Sequence, residues 1–493
     1  MNLKPMSSKY DVVIIGSGLG GLVCGYILSK NGLKVALVEK NNIPGGCLQN
    51  FIRKGVKFET GMHYIGSMDE GQPLRRFFDY LSLSSKVALS RLDTSGYDVV
   101  SFQGNRYAYA NGKKTFTETL ARHFPKEKNS IALYIQRMEA IAERSPMYSF
   151  RNMDNPYWMD SSNMQIGVAE YVRSLTSDKK LQNVLAGIMP LYGGVAEKTP
   201  LYYHALITDF YNKSAFRFVG GSDIIVQLLC ESIRKFGGEI ITGSPVTKVR
   251  FNNKEATGVT LLNNRFIEAS KVISDIHPAL LMDMVDTPLI RKAYKRRIYN
   301  IEQTLSNFTV YIKFKQDSIP YLNYNYYHYP GDSVWDGHFF YMHMCDEPDQ
   351  KYVRSAVLFE SMDWKTVEQW KKLPRGNRGA GYEDFKAKKA YEMLMNLERQ
   401  FPGTVSHIED FWTSTPLTYS DYTGTLEGSM YGILRDKNAF SQTFIPHRTK
   451  VPNLFLAGQN INAHGIMGVI IGSILTCGDI LGISALTKDI KNV

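Results

Sequence analysis

The hydrophobic pattern of the first 40 residues predicts a buried strand, a helix and a second buried strand. Apolar, mostly β-branched residues occupy positions 12–15, which is typical of a parallel strand covered on both faces. A stretch with helical periodicity follows at 22–28 and is ended by an Asn-Gly pair. The second apolar run, at 35–38, ends on Glu39. The order is that of a βαβ unit.

The turn between the first strand and the helix carries a glycine fingerprint. Gly16, Gly18 and Gly21 form G-x-G-x-x-G, and an acid follows the second strand, as in dinucleotide-binding βαβ units. The glycines allow a tight turn, close approach of a pyrophosphate and close helix packing, while the helix N-terminus attracts the phosphates. A glycine turn that binds nothing is the alternative, which the complete context disfavours. The predicted cofactor contacts here are Gly16, Ser17, Gly18, Gly20, Gly21, Glu39 and Lys40.

A second glycine pair and an aromatic segment come shortly after the acid. Gly45 and Gly46 would again let the backbone approach a bound dinucleotide. His63 and Tyr64 then place polar groups at the end of the segment FETGMHY. These two side chains are candidates for chemistry, and ordinary packing with backbone partners is the equal alternative.

A strand–turn–helix pattern returns near the C-terminus. Residues 454–457 read as a buried strand that ends at Gly458-Gln459, and an apolar helix follows. Its N-terminus would bring a second set of free N–H groups to the dinucleotide. His464 lies just before this helix, with a capping or solvent role as the alternative. Gly458, Gln459, Gly468 and Val469 are the predicted cofactor contacts.

The centre of the chain divides into three kinds of pattern. Residues 220–275 read as a helix followed by short strands with Asn-Asn turns, and Val246 is expected to offer its backbone to an adenine or to be a plain buried strand residue. Residues 76–214 look mainly helical, and 286–444 combine a period-2 strand at 305–315 with many aromatic residues. We therefore predict a discontinuous nucleotide domain (1–75, 215–285 and 445–493) and a substrate domain (76–214 and 286–444).

Composition adds limits rather than chemistry. The net charge of +11 suits an anionic membrane surface, acidic ligands or simply a solvated basic face, and no nucleic-acid motif accompanies it. Five cysteines without C-x-x-C spacing argue against a metal site and a disulfide framework. The apolar run near the N-terminus is the first predicted strand, so we expect no signal peptide. No run reaches about 18 apolar residues, so we expect no membrane-spanning helix. We expect a cytoplasmic protein, with peripheral membrane contact left open.

Three segments together resemble the phytoene desaturase family of FAD-dependent oxidoreductases, in the branch of retinol saturases and carotenoid isomerases. They are GSGLGG with Glu39, the glycine pair at 45–46 followed by FETGMHYIG, and LAGQNINAHGIMGVIIGS. Many relatives have Gly-Asp where this chain has Gly458-Gln459, so the resemblance implies a neutral Gln459 at the ribityl chain in place of an acid. The resemblance implies an α/β fold: a Rossmann-like FAD domain of glutathione-reductase type with an inserted α+β substrate domain.

The resemblance also implies redox chemistry on a polyene or related lipid in an apolar tunnel. FAD would exchange a hydride with one carbon of a C=C bond, and His63, Tyr64 or water would supply the proton, with His464 facing the flavin ring. No second dinucleotide fingerprint is present, so NAD(P)H would act as a transient donor, or a carrier or quinone would supply electrons. A desaturase, isomerase, hydratase or amine oxidase is the first alternative. A non-catalytic prenyl-lipid-binding protein, similar to Rab GDP-dissociation inhibitors, is the second.

Overall fold

The structure is a computed structural model, and it describes residues 9–151, 153, 155–345 and 351–493. Helices and strands alternate through most of this range. The α-helices are α1 (Leu19–Lys30), α2 (Pro73–Tyr80), α3 (Lys113–Ala121), α4 (Lys128–Arg144), α5 (Pro146–Ser149), α6 (Ser161–Gln165), α7 (Val168–Leu175), α8 (Lys179–Leu185), α9 (Leu201–Lys213), α10 (Asp223–Lys235), α11 (Pro278–Met284), α12 (Lys292–Tyr299), α13 (Ala380–Gln400), α14 (Pro416–Thr423), α15 (Phe440–Thr443), α16 (Gly465–Leu481) and α17 (Ile483–Lys491).

The strands form two large sheets and three small ones. They are β1 (Tyr10–Ile15), β2 (Val35–Val38), β3 (Asn50–Arg53), β4 (Val56–Glu59), β5 (Ile65–Gly66), β6 (Leu89–Arg91), β7 (Asp98–Phe102), β8 (Asn105–Tyr109), β9 (Ala215–Phe218), β10 (Glu239–Ile241), β11 (Val246–Asn252), β12 (Glu255–Leu261), β13 (Phe266–Ser274), β14 (Ser306–Phe314), β15 (Ile319–Pro320), β16 (Asn325–Tyr329), β17 (Phe340–Met344), β18 (Tyr352–Val353), β19 (Ser355–Met362), β20 (Ile408–Ser414) and β21 (Leu454–Leu456).

The first sheet is the nucleotide-binding sheet expected from the opening βαβ unit. Its order is β10-β2-β1-β13-β12-β11, and β21 also pairs with β13. Strands β10, β2, β1, β13 and β21 are parallel, while β11, β12 and β13 form an antiparallel meander. Helix α1 packs against α10 and α16, so three helices cover one face of the sheet. This α/β arrangement brings the carboxyl ends of β1, β2 and β13 to one edge.

The second sheet forms the wall opposite that edge. Its order is β20-β14-β19-β17-β16-β7-β8, antiparallel except for the β16–β7 pair. One face packs on α13, and the other faces α3, α4 and α9, so Tyr326 and Tyr327 belong to two different hydrophobic clusters. Strands β6, β7 and β8 lie within the segment predicted as mainly helical. The β-prone runs DVVSF and NRYAY around Gln103-Gly104 are the hairpin signal that sequence reasoning missed.

Strand β14 differs from its predicted half-exposed period-2 pattern. Eight of its nine residues are buried, and only Lys313 is partly exposed. The hairpin β3–β4 explains the second covered face, since Phe51 and Phe58 lie 4.8 and 5.5 Å, between ring centroids, from Tyr311. The predicted domain boundaries stay a prediction. The first sheet takes strands from residues 10–38, 239–274 and 454–456, and the second from 98–109, 306–362 and 408–414.

Candidate active site

A cavity of ≈ 490 Å³ lies where the first sheet, the N-termini of α1 and α16 and the second sheet meet. This volume is within the range of cofactor and ligand sites. Ile15 and Val38, at the ends of β1 and β2, border it. Most of the predicted cofactor contacts line this cavity: Gly16, Ser17, Gly18, Gly20, Glu39, Lys40, Gly45, Gly46, Val246, Gly458, Gln459 and Val469.

Two predicted contacts, Gly21 and Gly468, do not line this cavity. A Cβ on Gly21 would lie 2.1 Å from the carbonyl oxygen of Gly16, so Gly21 is required for close packing of the turn on its helix. Gly468 borders a second cavity instead. Gly20 is needed at the first cavity, because a Cβ there would lie 2.3 Å from Oδ1 of Asp275 and 2.7 Å from the Gly458 nitrogen.

The carboxylate of Glu39 is fixed by the glycine turn. Its Oε2 accepts hydrogen bonds from the Ser17 hydroxyl at 2.6 Å and the Ser17 backbone N–H at 3.0 Å. Its Oε1 accepts from the backbone N–H of Asn41 at 2.8 Å. The side chain borders the cavity at the end of β2, where an adenosine ribose is bound in dinucleotide sites of this type.

Sequence reasoning missed Asp275, which follows β13 and points at the glycine turn. Its side chain is partly exposed, and its carboxyl group lies against the backbone of Gly18 and Gly20. Burial raises the pKa of Asp275 to about 7, and the charge of Glu39 adds to the increase. No local sequence pattern marks Asp275, because its place at the phosphate-binding turn depends on the parallel pairing of β13 with β1.

A tyrosine cluster forms the cavity wall on the second sheet. The Tyr64 hydroxyl donates to Oδ2 of Asp98 at 2.9 Å and lies 3.0 Å from the Tyr327 hydroxyl. Asn325 Nδ2 donates to Oδ1 of Asp98 at 2.8 Å. Burial raises the pKa of Asp98 to about 7 and that of Tyr64 well above its usual value of 10. Asp98, Asn325 and Tyr327 are further residues that sequence reasoning did not find.

His63 lines the same cavity beside Tyr64. Its ring lies 4.2 Å, between centroids, from the ring of His343 and 5.7 Å from that of Phe359. Burial lowers the pKa of His63 to about 3, and the Arg217 charge contributes. His63 is therefore a neutral imidazole at physiological pH, without a proton to give as imidazolium.

His464 faces a second, smaller cavity of ≈ 300 Å³. Its ring lies 4.7 Å, between centroids, from that of Tyr431, which lines the first cavity. Burial lowers the pKa of His464 to about 3. The structure thus brings His63 and Tyr64 together and separates His464 from them. Four residues border both cavities: Leu191, Tyr211, Gly465 and Ile466.

The residues at the first cavity fit a flavin dinucleotide. The glycine turn and the start of α1 offer backbone N–H groups to a diphosphate, Glu39 offers a ribose acceptor, and the N-terminus of α16 borders the same cavity. Tyr64, Tyr327 and Tyr341 form the aromatic wall of the same cavity.

Residues 19–481 match the family described as flavin containing amine oxidoreductase. The chain belongs to this family. It is similar to human all-trans-retinol 13,14-reductase, with 26% identity over 98% of this chain and 87% of the relative. A chloroplastic prolycopene isomerase of an Oncidium hybrid cultivar is 22% identical over 94% of this chain and 79% of the relative. In fold, this chain resembles an oxidoreductase from Methanosarcina mazei, with a TM-score of 0.66 and 18% identity. The match covers 94% of this chain and 99% of the other.

Membership of this family confirms three predictions from the sequence. They are the FAD-dependent oxidoreductase class, FAD as cofactor, and an α/β nucleotide-binding fold joined to a substrate-binding part. The resemblance to retinol saturases and carotenoid isomerases is confirmed by the relatives. Among the described residues, no helix combines the length and apolar character needed to cross a membrane.

Proposed function

We propose that this flavoenzyme reduces a C=C bond of an apolar polyene or isoprenoid lipid, in the manner of a retinol saturase. The carrying observation is the cavity at the glycine turn, which has a tyrosine wall on the second sheet and shares four lining residues with a second cavity. The names of its relatives, an all-trans-retinol 13,14-reductase and a prolycopene isomerase, support a polyene substrate.

The second cavity supports the apolar character of the substrate. Its lining is dominated by aliphatic and aromatic side chains, with Leu206, Ile207 and Phe210 from α9 and Ile471 and Leu475 from α16. Because the two cavities share four lining residues, we infer that a long chain bound in the second cavity reaches the flavin site. Apolar contact along this length holds the alkene in position and excludes water.

When bound, FAD supplies a hydride donor or acceptor in its reduced or oxidised state. This chain's residues must then hold the alkene and move one proton. Tyr64 is the proposed proton donor, because it lines the cavity and burial keeps its hydroxyl protonated. Asp98 is a positioning residue that accepts the Tyr64 hydrogen bond and, with its pKa of about 7, returns a proton to it. His63, neutral at physiological pH, shapes the wall.

The cofactor contacts predicted from the sequence are part of the proposal. We assign the diphosphate to the turn around Gly18 and Gly20, the adenosine ribose to Glu39, and the ribityl side to Gly458 and Gln459. All five residues line the cavity. NAD(P)H is the proposed transient electron donor, with a protein carrier or quinone as the alternative.

Anaerobic titration of the reduced protein tests this proposal. The flavin spectrum of purified protein is recorded first, and the flavin is then bleached with dithionite or NAD(P)H. We expect polyene alcohols or carotenoids to restore the oxidised spectrum in proportion to product that has gained two hydrogens. A colourless protein that takes up no FAD would refute the flavin site. Reoxidation by none of a panel of polyenes would refute the saturase activity.

An isomerase is the second candidate, because a prolycopene isomerase is among the relatives. Redox-neutral isomerisation leaves the flavin reduced while the geometry of a double bond changes. The same titration separates the isomerase from the reductase. For an isomerase, the flavin spectrum would stay that of the reduced form, and chromatography would find an isomer of unchanged mass.

A further inference from the structure

We propose that Glu59, His63 and His343 form a binding site for a divalent transition-metal ion directly behind the wall of the flavin cavity. This site goes beyond the proposed reduction, which does not require a metal. The spacing of the cysteines in the sequence argued against a metal site. That spacing has no bearing on this cluster, because none of its three residues is a cysteine.

Three separate segments bring the ligand atoms together. Glu59 is the last residue of β4, His63 lies in the loop before β5, and His343 lies on β17 of the second sheet. One ligand atom from each lies within 4.8 Å of the other two. Around a tetrahedral zinc ion with bonds of about 2.1 Å, ligand atoms are about 3.4 Å apart. The ligand atoms would therefore have to approach one another by up to about 1.4 Å to hold an ion.

The histidine nitrogens give a second, independent reason for a ligand. Both ring nitrogens of His343 and Nδ1 of His63 are buried without a hydrogen-bond partner in the described residues. His343 is only 1% exposed, so bulk water does not reach it. Buried polar atoms in folded proteins almost always have a partner. Imidazole nitrogens close to a carboxylate are donor atoms of the kind that Zn²⁺ and related ions take in proteins.

The surrounding charge does not exclude a cation. Arg217 is the nearby buried positive group, and its guanidinium is held by the Met344 carbonyl at 2.6 Å and Asn325 Oδ1 at 2.9 Å. Glu59, which is partly exposed, brings one carboxyl group to the site, and the buried Asp98 lies nearby. When Glu59 binds the ion as a carboxylate, its charge opposes that of the ion, and the guanidinium is already held by its own two acceptors.

The donor set selects the kind of ion. Two imidazoles and one carboxylate suit Zn²⁺, Fe²⁺ and related first-row ions, whereas Ca²⁺ and Mg²⁺ prefer oxygen ligands. Bound there, the ion ties β17 of the second sheet to the loop after β4. It fixes the ring of His63, which is part of the cavity wall.

Metal binding to the intact FAD-loaded protein tests the site. Chelator-treated protein is dialysed against Zn²⁺, and bound zinc is counted by inductively coupled plasma mass spectrometry. We expect about one ion per chain, and at least about tenfold weaker binding in His343→Asn and Glu59→Gln. His338→Asn, which removes an exposed histidine outside the cluster, is the matched control and should bind like wild type. Unchanged zinc affinity in His343→Asn, or no zinc in the wild type, would overturn the proposal.

A measurement on the wild type covers the case in which the variants do not fold. X-ray absorption of the Zn²⁺-loaded protein should show the outer-shell scattering of two imidazole rings and a light-atom first shell. A first shell that contains sulfur, or a spectrum without imidazole scattering, would place the ion elsewhere and refute the assignment. Neither readout depends on flavin reduction, so failure of the metal site and failure of the proposed reductase activity remain distinguishable.

Discussion

The hydroxyl group of Tyr64 donates a 2.9 Å hydrogen bond to Oδ2 of Asp98, which begins strand β7 of the second sheet. Both side chains are buried, and of the two only Tyr64 borders the flavin cavity. A phenol that gives a proton to a substrate carbon must recover it from a neighbour. A carboxyl group whose pKa lies near 7 is suited to that transfer.

We expect double-bond reduction to become slower as the pH rises above 7. Burial raises the pKa of Asp98 to about 7, so its carboxyl group keeps its proton below that pH and loses it above. If the protonated carboxyl is required, the rate falls by about tenfold per pH unit on the alkaline side. Stopped-flow reoxidation of the reduced flavin by a polyene, measured across this range, checks the prediction.

Two variants separate this effect from general pH sensitivity. Asp98→Asn should be slow at every pH, with no alkaline decrease from residue 98. Asp93→Asn removes an exposed carboxyl near the same strand and should keep the wild-type profile. A wild-type rate that is flat on both sides of pH 7 would contradict the role of Asp98.

Tyr64→Phe tests the proton donor itself. Loss of a general acid typically costs on the order of 10²- to 10⁴-fold in rate, and we expect a decrease of this size in flavin reoxidation by the polyene. FAD content should not change, because the ring remains in the wall. Tyr329→Phe is the control, since that hydroxyl donates to the Gly187 carbonyl at 2.6 Å, outside the cavity. Equal rates in Tyr64→Phe and Tyr329→Phe would exclude Tyr64 as the donor.

The dinucleotide side of the site could be predicted because its information is local in sequence. Gly16, Gly18 and Glu39 lie within one βαβ unit, and their spacing alone sets their positions relative to one another. The same holds for Gly458 and Gln459, which follow a short buried strand directly. Each segment carries its strand, turn and helix signals without reference to the rest of the chain.

The tyrosine wall could not be predicted because strand pairing creates it. Asp98 lies opposite Asn325 in the parallel β7–β16 pair, more than 200 residues apart in sequence. No local pattern fixes that register. His63 and Tyr64 were found through their segment, but their partners His343 and Asp98 lie on strands whose place in the sheet was unknown. Asp275 was missed for the same reason, since its role depends on β13 lying beside β1.

We expect Asp275 to weaken FAD binding as the pH rises. Its carboxyl points at the glycine turn, and its pKa of about 7 means that a negative charge develops there above neutrality, where the diphosphate is to be bound. Asp275→Asn keeps the shape and removes the charge. At alkaline pH this variant should bind FAD about tenfold more tightly than wild type, as measured by fluorescence titration of apoprotein.

The pH dependence provides the control for this prediction. FAD affinity of the wild type should decrease from acid to alkaline pH, while that of Asp275→Asn should change little. Asp286→Asn makes the same change in net charge at an exposed position and should follow the wild type. A wild-type affinity that does not vary with pH would show that Asp275 does not meet the diphosphate as an anion.

A methyl group at residue 20 should abolish FAD binding. A Cβ on Gly20 would lie 2.3 Å from Oδ1 of Asp275 and 2.7 Å from the backbone nitrogen of Gly458, which is backbone and cannot rotate away. Gly20→Ala must therefore separate the turn from β21 and distort the phosphate site. Gly381→Ala is the matched control, because nothing lies within 4 Å of its Cβ. The ratio of flavin to protein absorbance measures the FAD content of both variants. Full FAD content in Gly20→Ala would contradict the close approach of residue 20 to Asp275 and Gly458.

Filling the second cavity should block long substrates and leave the flavin untouched. Leu206 on α9 lines the ≈ 300 Å³ cavity but not the first one, so an indole there occupies space that a polyene chain would use. We expect Leu206→Trp to keep its FAD, to reduce a short alkene at the wild-type rate, and to lose most activity on a polyene. Leu262→Trp adds the same bulk at an exposed position and should behave as wild type. A polyene bound in this cavity would not tolerate the added ring. If Leu206→Trp reduces long and short substrates equally well, the polyene must therefore extend from the flavin in another direction than the second cavity.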